Sequence, residues 1–350
     1  MNIKLLLSTT FIAASFSVSA QDANKTFAIT GDGNHDFMWM NIRQVDITTG
    51  KIVTDVYQRD KTAFVMKDAD SKTQSAAYRT PTETMVAAAA YDKNQNKLFF
   101  TPMRVGELRW LDLNAKGSEQ KYYTVTTTPL NTSKELYDEA NQFSRMVIGA
   151  DGNGYALTND ASRLVKFTTG KKVTITDMGP VIDDESNKTV SIKNKCTSWG
   201  GDMIADAFGK LYIISANRHV FTVDIESRIA THTGTISGLP NGYTTNGAAV
   251  DDNGDIVVTS ANVFAGYYRV KLDGLTATLI EGSDIKYNAA DLANGNLLLQ
   301  KQADAARKLG SASDVRNETL AGNKVVPNPV TGSSFKLLLN GELDGAYSII

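Results

Sequence analysis

The chain has 350 residues, room for one large or two modest domains, with the ordinary globular proportions of 42% apolar and 21% charged residues. Its 36 Lys and Arg against 38 Asp and Glu give a net charge near −2, which removes any electrostatic case for nucleic acid or an anionic membrane as partner. Short runs rich in Val, Ile, Thr, Tyr and Phe recur and helix signals are scarce, so the fold class read from the sequence is all-β.

Residues 1–20, MNIKLLLSTTFIAASFSVSA, set Lys4 before an apolar run and close on the small residues Val18-Ser19-Ala20. This is the layout of a signal peptide that leaves Gln21 as the new N-terminus, and the run is too short and too rich in Ser and Thr for a spanning helix. No other stretch is apolar enough for a transmembrane segment, so the expectation is an exported chain. Its single cysteine, Cys196, cannot form an internal disulfide and has no patterned histidine nearby, and it reads as a small buried or half-buried thiol.

From residue 26 onward one unit repeats. GADGNGYALTND, IADAFGKLYIISAN and AVDDNGDIVVTSAN each hold a strand, an Asp, two variable residues, a Gly and a second strand, around Asp151 and Gly154, Asp206 and Gly209, Asp251 and Gly254. Weaker copies surround Asp92 and Asp291, and GDGNHD at Asp32 is a sixth. Asp and Asn accept backbone N–H groups in tight turns and Gly tolerates positive φ, so these read as hairpins. A second hairpin follows, with Thr-Thr-Gly-Lys at the turns of residues 42–57 and 164–179 and looser forms at 220–234 and 268–282. Four meandering strands repeated about six times are the signature of a β-propeller; six blades are expected, with five the alternative should the two ends of the chain close a single blade.

The Asp-to-Asp spacing shrinks because the links between units shrink. Residues 58–84, 126–142 and 180–198 are long and polar, whereas 239–245 and the stretch after Gly282 are short. In such a fold the links share a face with the loops between second and third strands, and the Asp-x-x-Gly and Thr-Thr-Gly-Lys turns occupy the other. The link-bearing face is where a site is expected.

The Asp-x-x-Gly hairpins resemble those of NHL-type and regucalcin/gluconolactonase-like propellers over residues 26–305. The tail VVPNPVTGSSFKLLLNGELDGAYSII resembles the opening of the type A C-terminal sorting domain of the type IX secretion system of Bacteroidetes-like bacteria. The matching motifs are Val325-Val326 before Pro327, Asn328 and Pro329, the Phe335-Lys336-Leu337 strand and Gly345-Ala346-Tyr347. That family's domain is a small β-sandwich that runs several strands further, with a segment resembling DLSGR that is absent here, so the chain reads as cut inside it. The resemblance implies the type IX machinery as a partner, and a path through the periplasm to the medium or the outer cell surface. The domains expected are a signal peptide (1–20), a propeller (21–305), a polar linker (306–324) and a partial sorting domain (325–350).

For chemistry, His35, His219 and His232 fall on different units without ligand spacing, and no nucleophile elbow, P-loop or dinucleotide fingerprint is present. Asp32, Asn34 and Asp36, like Asp92, Asn94 and Asn96, alternate oxygen side chains in a way that suits calcium, but the residues are also those a tight turn wants. By resemblance to lactonase-like propellers, where Glu, Asn and Asp hold one divalent ion at the channel top, Glu83, Asp202 and Asn246 are the positional counterparts. Asn159, Asn217 and Asn262, in the repeated TND and SAN segments, fall on the link-bearing face with Arg163, Arg218, His219 and Phe264, and Arg145 and Trp199 near them. Amide, guanidinium and indole groups together suit a glycan or peptide; Trp39 and Trp110 are expected in the core. The resulting expectation is a non-catalytic binding module for glycan, peptide or protein, the alternatives being a metal-dependent hydrolase or lactonase and a structural adhesion or scaffold protein.

Overall fold

A computed structural model describes residues 25–74, 80–128, 130, 136–317, 324–326 and 336–338. The expected signal peptide and the Pro327-Asn328-Pro329 motif lie outside the described residues. Strands β1 (Thr26–Thr30), β2 (Asn41–Asp46) and β3 (Lys51–Tyr57) are the outer three of blade 1. Blade 2 holds β4 (Phe64–Asp68), β5 (Val86–Asp92), β6 (Lys97–Pro102), β7 (Leu108–Asp112) and β8 (Gln120–Val125), and blade 3 holds β9 (Phe143–Ile148), β10 (Gly154–Thr158), β11 (Leu164–Phe167) and β12 (Ile175–Gly179). The next link carries β13 (Ile182–Asp183) and the one-turn helix α1 (Lys195–Ser198) into blade 4, made of β14 (Asp202–Ala205), β15 (Lys210–Ile214), β16 (His219–Asp224) and β17 (Ile229–Thr235). Blade 5 is β18 (Gly247–Val250), β19 (Ile256–Thr259), β20 (Tyr268–Val270) and β21 (Ala277–Leu279). Then β22 (Ala289–Ala293) returns to pair antiparallel with β1 as the inner strand of blade 1.

The inner strands β22, β5, β9, β14 and β18 touch in sequence around a closed ring, so the molecule is a five-bladed β-propeller. Six repeat-like segments make five blades because the first and last share one sheet, the alternative weighed above. GDGNHD, expected among the Asp-x-x-Gly turns, instead joins the second and third strands of blade 1, on the link-bearing face. Asp291 lies inside β22 rather than in a turn, its place taken by Asn294-Gly295-Asn296.

Side chains alternate across each strand, and here both sides are buried. In β15, Leu211 and Ile213 pack toward blade 3 while Tyr212 and Ile214 pack toward blade 5. Five apolar clusters result, one per junction between neighbouring blades. The Asp-x-x-Gly turns form as expected: Asp206 Oδ1 accepts the N–H groups of Phe208 (2.9 Å) and Lys210 (2.8 Å), and Asp251 Oδ1 those of Asn253 (2.9 Å) and Asp255 (3.0 Å). Gly209 and Gly254 close these turns at φ near +90°, a conformation a Cβ disfavours.

Two of the long links partly cover blade edges instead of forming free loops. Strand β4 adds to β8 in parallel, and β13 adds to β17 in parallel. Beyond β22, residues expected as linker form helix α2 (Gln300–Asn317), rich in the helix formers Ala, Lys, Arg and Leu. Its start is held by Leu298, which bridges to Ala205 and Ala207 of blade 4, and by buried Ala303. Strands β23 (Lys324–Val326) and β24 (Lys336–Leu338) pair antiparallel with one another. No described helix is long and apolar enough to cross a membrane. Cys196, expected buried or half-buried, is exposed in α1, whose single turn presents it outward from the link.

Candidate functional site

The inner strands are built from small residues, as in VAAAAYD, GAAV and AADLA, which lets five sheets close tightly around the axis. On the turn-bearing side the channel narrows to a cavity of about 10 Å³ lined by Ala89, Ala90, Met146, Met203 and Ala248, too small for a ligand. On the link-bearing side it opens into a mouth of about 290 Å³ to which every blade contributes: Trp39 and Ala290, Ala87 and Arg104, Ser144 and Asn159, Gly201, Asn246 and Ala261. Gly201 is obligatory there, because a Cβ would lie 1.9 Å from the carbonyl oxygen of Ile214.

The link 136–142 forms the mouth's outer wall with Tyr137, Glu139 and Gln142. A short 3₁₀ turn (Glu139–Asn141) shapes it, capped by Asp138, whose carboxylate accepts the Ala140 N–H. Glu139 is paired with Lys195 at 2.8 Å, whereas the guanidinium of exposed Arg104 has no partner among the described residues. Around the rim, Phe37 (44% exposed), Met38 (43%) and Ile285 (60%) stand in the open, with Phe264 between Phe37 and His35 at ring separations of 6.2 and 5.3 Å.

Directly beneath the mouth, by position along the inner strands, come Ala88, Arg145, Asp202, Gly247 and Asp291. Arg145 is fully buried: Nε donates to the Gly200 carbonyl (3.0 Å), Nη1 to that of Thr158 (3.0 Å) and Nη2 to that of Ser198. Burial lowers its pKa to about 10. Asp202 Oδ2 accepts the Ala248 N–H (2.6 Å) of blade 5, and Oδ1 accepts its neighbour Met203's (2.7 Å). Burial still pushes its carboxyl well above the usual carboxylate range, against the pull of those N–H groups and Arg145. Asp291, also fully buried, is pushed up by burial and by Asp202 beside it. Neither Asp291 oxygen has a well-aligned donor, which a proton shared with Asp202 would supply.

Of the residues singled out from sequence, Asn159 and Asn246 line the mouth and Arg145 and Asp202 form its underside, with Arg145 acting as a clamp between blades 3 and 4. Asn159 Oδ1 accepts the Ser144 hydroxyl (2.6 Å) and the Gly200 N–H (3.0 Å), and its amide donates to the Glu139 backbone carbonyl (2.9 Å). Asn246 Oδ1 accepts the Ala261 N–H (3.1 Å), leaving its amide nitrogen without a partner among the described residues. Asn217 donates to the Cys196 carbonyl, Asn262 accepts the Thr244 hydroxyl (2.7 Å), and Arg218 donates to Pro240 (2.7 Å) and Tyr243 (3.2 Å); these three hold links in place. Trp199 is half-buried outside the mouth, its indole N–H on the Lys193 carbonyl (3.0 Å) and the Lys195 ammonium 4.8 Å from its ring centre.

The proposed metal ligands do not meet. Glu83 is bound to Arg109 of β7 (2.7 Å), off the axis, while Asp202 is sealed below the mouth. Asp32, which takes the Asn41 amide (2.6 Å), and Asp92, which takes the N–H groups of Asn94 (2.8 Å) and Gln95 (3.0 Å), serve their own turns. Among the described residues no group of three or more His, Cys, Asp and Glu side chains converges to hold a metal ion. His219 and His232, read as belonging to different units, are cross-strand neighbours in blade 4 with ring nitrogens 3.1 Å apart. Trp110 is in the core as expected, stacked on Tyr123, but Trp39 belongs to a loop that reaches the mouth. Arg104, Tyr137 and Gln142 were missed, having no repeat or motif to mark them.

A larger cleft of about 670 Å³ lies on the turn-bearing face between blade 5 and α2. Two of its acids are engaged: Asp251 closes its own turn and pairs with Arg269 at 2.8 Å, and Asp252 accepts the Asn296 amide at 3.1 Å. The mouth, where groups from five blades converge, is the better site.

No protein-family model matches the chain, and no curated protein matches it. Among solved structures, a protein of unknown function from Bacteroides caccae aligns at 11% identity over 73% of this chain and 72% of that one, with a TM-score of 0.36. Virginiamycin B lyase from Staphylococcus aureus aligns at 13% identity over 67% of this chain and 61% of its own, less than two thirds, with a TM-score of 0.34. A nidogen/laminin complex aligns at 10% identity over 79% and 99%, with a TM-score of 0.40. Such likenesses say nothing of activity, and the propeller assignment rests on the strand pairing described above.

Proposed function

We propose that this is an exported β-propeller that binds a glycan or peptide in the mouth of its link-bearing face without transforming it. The observation that carries the reading is the 290 Å³ mouth walled by residues of all five blades and closed below. A rigid ring with a dead-ended, partly aromatic opening positions a ligand well, and the described side chains around it include no nucleophile–base pair or metal cluster. Export rests on the leader-like residues 1–20 and on the resemblance of residues 325–350 to a sorting domain.

The test is a glycan and peptide array read with the wild type and with Ala87→Trp, which fills the mouth from the half-buried start of β5. Loss of the wild-type signal in A87W at unchanged melting temperature is expected. An unaltered signal, or turnover of a lactone or ester by the wild type, would refute the reading. A second reading, contact with another exported protein, draws on the exposed rim of Phe37, Met38 and Ile285. It is separated from the first by Phe37→Ser, which should abolish partner capture and leave array binding intact.

A further inference from the structure

Two groups on the mouth wall are free to meet a ligand, and one buried side chain fixes both. Arg104 sits in a turn with left-handed backbone (φ +59°), a conformation that persists in a non-glycine residue only when its surroundings hold it. The holder is Gln142, 7% exposed, whose Oε1 accepts the Arg104 N–H at 2.8 Å. Its Nε2 donates to the carbonyls of Leu136 (2.8 Å) and Asp138 (3.2 Å), the residues on either side of Tyr137. One amide thus ties the turn bearing a guanidinium without a partner among the described residues to the turn bearing a phenol ring that is 81% exposed, and both side chains line the same cavity. The cost of ordering those two segments is met before any ligand arrives.

Resting on the binding reading above, we infer that the mouth recognises a sugar ring bearing a carboxylate, a uronate unit of an acidic glycan, through Arg104 and Tyr137 with Gln142 as positioning residue. A guanidinium fork matches a carboxylate in two parallel hydrogen bonds, and a solvent-facing phenol ring offers a stacking surface to the C–H face of a pyranose. The amide nitrogen of Asn246 across the mouth, without a partner among the described residues, adds a donor for a ring hydroxyl. Glu139, the other charge on the lining, is neutralised by Lys195 and does not repel the acid.

The experiment is calorimetric titration of the full chain with a galacturonate trimer and with its carboxyl-reduced, neutral counterpart. The acidic trimer should bind about ten- to a hundredfold more tightly, the range for a charge-assisted hydrogen bond. Arg104→Ala should erase that preference, Arg104→Lys should keep part of it, and Tyr137→Ala should weaken both trimers alike, with thermal unfolding confirming the fold of each variant. Failure of the acidic trimer to bind, equal affinity for the two trimers, or an unchanged preference in R104A overturns the inference. The separate array comparison of wild type and A87W decides whether the binding reading survives that failure: loss of signal in A87W leaves it standing, and an unaltered signal ends it as well.

Discussion

Arg145 holds blades 3 and 4 together from inside, its fully buried guanidinium divided among the carbonyl oxygens of Thr158, Asn159, Ser198 and Gly200. Arg145→Met keeps much of the volume but strands those acceptors, so a loss of about 3 kcal/mol is expected, read as a lower urea midpoint. The Asp202–Asp291 pair makes a prediction of opposite character. Both carboxyls are raised in the folded chain, so folding binds protons that the unfolded chain has released. Their contribution is full below the ordinary carboxylate range and is lost as pH climbs through the raised folded-state values. Asp291→Asn supplies a permanent donor to Asp202 and removes one of the two titrations. Its melting temperature should therefore gain on the wild type steadily from pH 5 to pH 8, and parallel curves would refute the shared proton.

At the scale of elements, closure depends on β22 finding β1 across most of the chain, with Phe27 opposite Ala293 and Ala28 opposite Leu292. A chain stopped after Asn317 should unfold cooperatively, whereas one stopped after Tyr287 lacks the inner strand of blade 1 and should not; circular dichroism during urea denaturation distinguishes them. The hairpins were legible because their turns are chemically local: Asp206 and Asp251 cap N–H groups two and four residues on, and Gly follows where φ must be positive. The blade count was harder to read, since nothing local says that AADLA and TFAIT share a sheet. A stronger hint lay in the alanines and glycines of the inner strands, which suit a narrow five-fold axis. Residues of helix α2 read as linker because the stretch is polar and poor in aromatics, although Ala, Lys, Arg and Leu at most of its early positions favour helix.

Across the whole molecule, the sequence points to the face of the candidate site better than to the residues that line it. The length of residues 126–142 was visible, and residues 136–142 do wall the mouth; which of their side chains faces Arg104 depends on how two turns from neighbouring blades dock through Gln142. The repeated asparagines were conspicuous because repetition marks structural caps, and most of them are caps. Export is tested at this scale too. In a host with type IX secretion, the chain lacking residues 325–350 should stay in the periplasm while the longer form leaves it, measured by fractionation and immunoblot; equal release would remove the sorting role.

In the proposed reading, ligand enters between the five blades on the link-bearing face. Hydrogen exchange followed by mass spectrometry, with and without the ligand from the array, tests it most directly. Protection should appear together in segments far apart in sequence, around Trp39, Arg104, Ser144, Asn246 and Ala290. Protection centred instead on residues 251–255 and 296–302 would place the ligand in the larger cleft beside α2 and rule out the mouth.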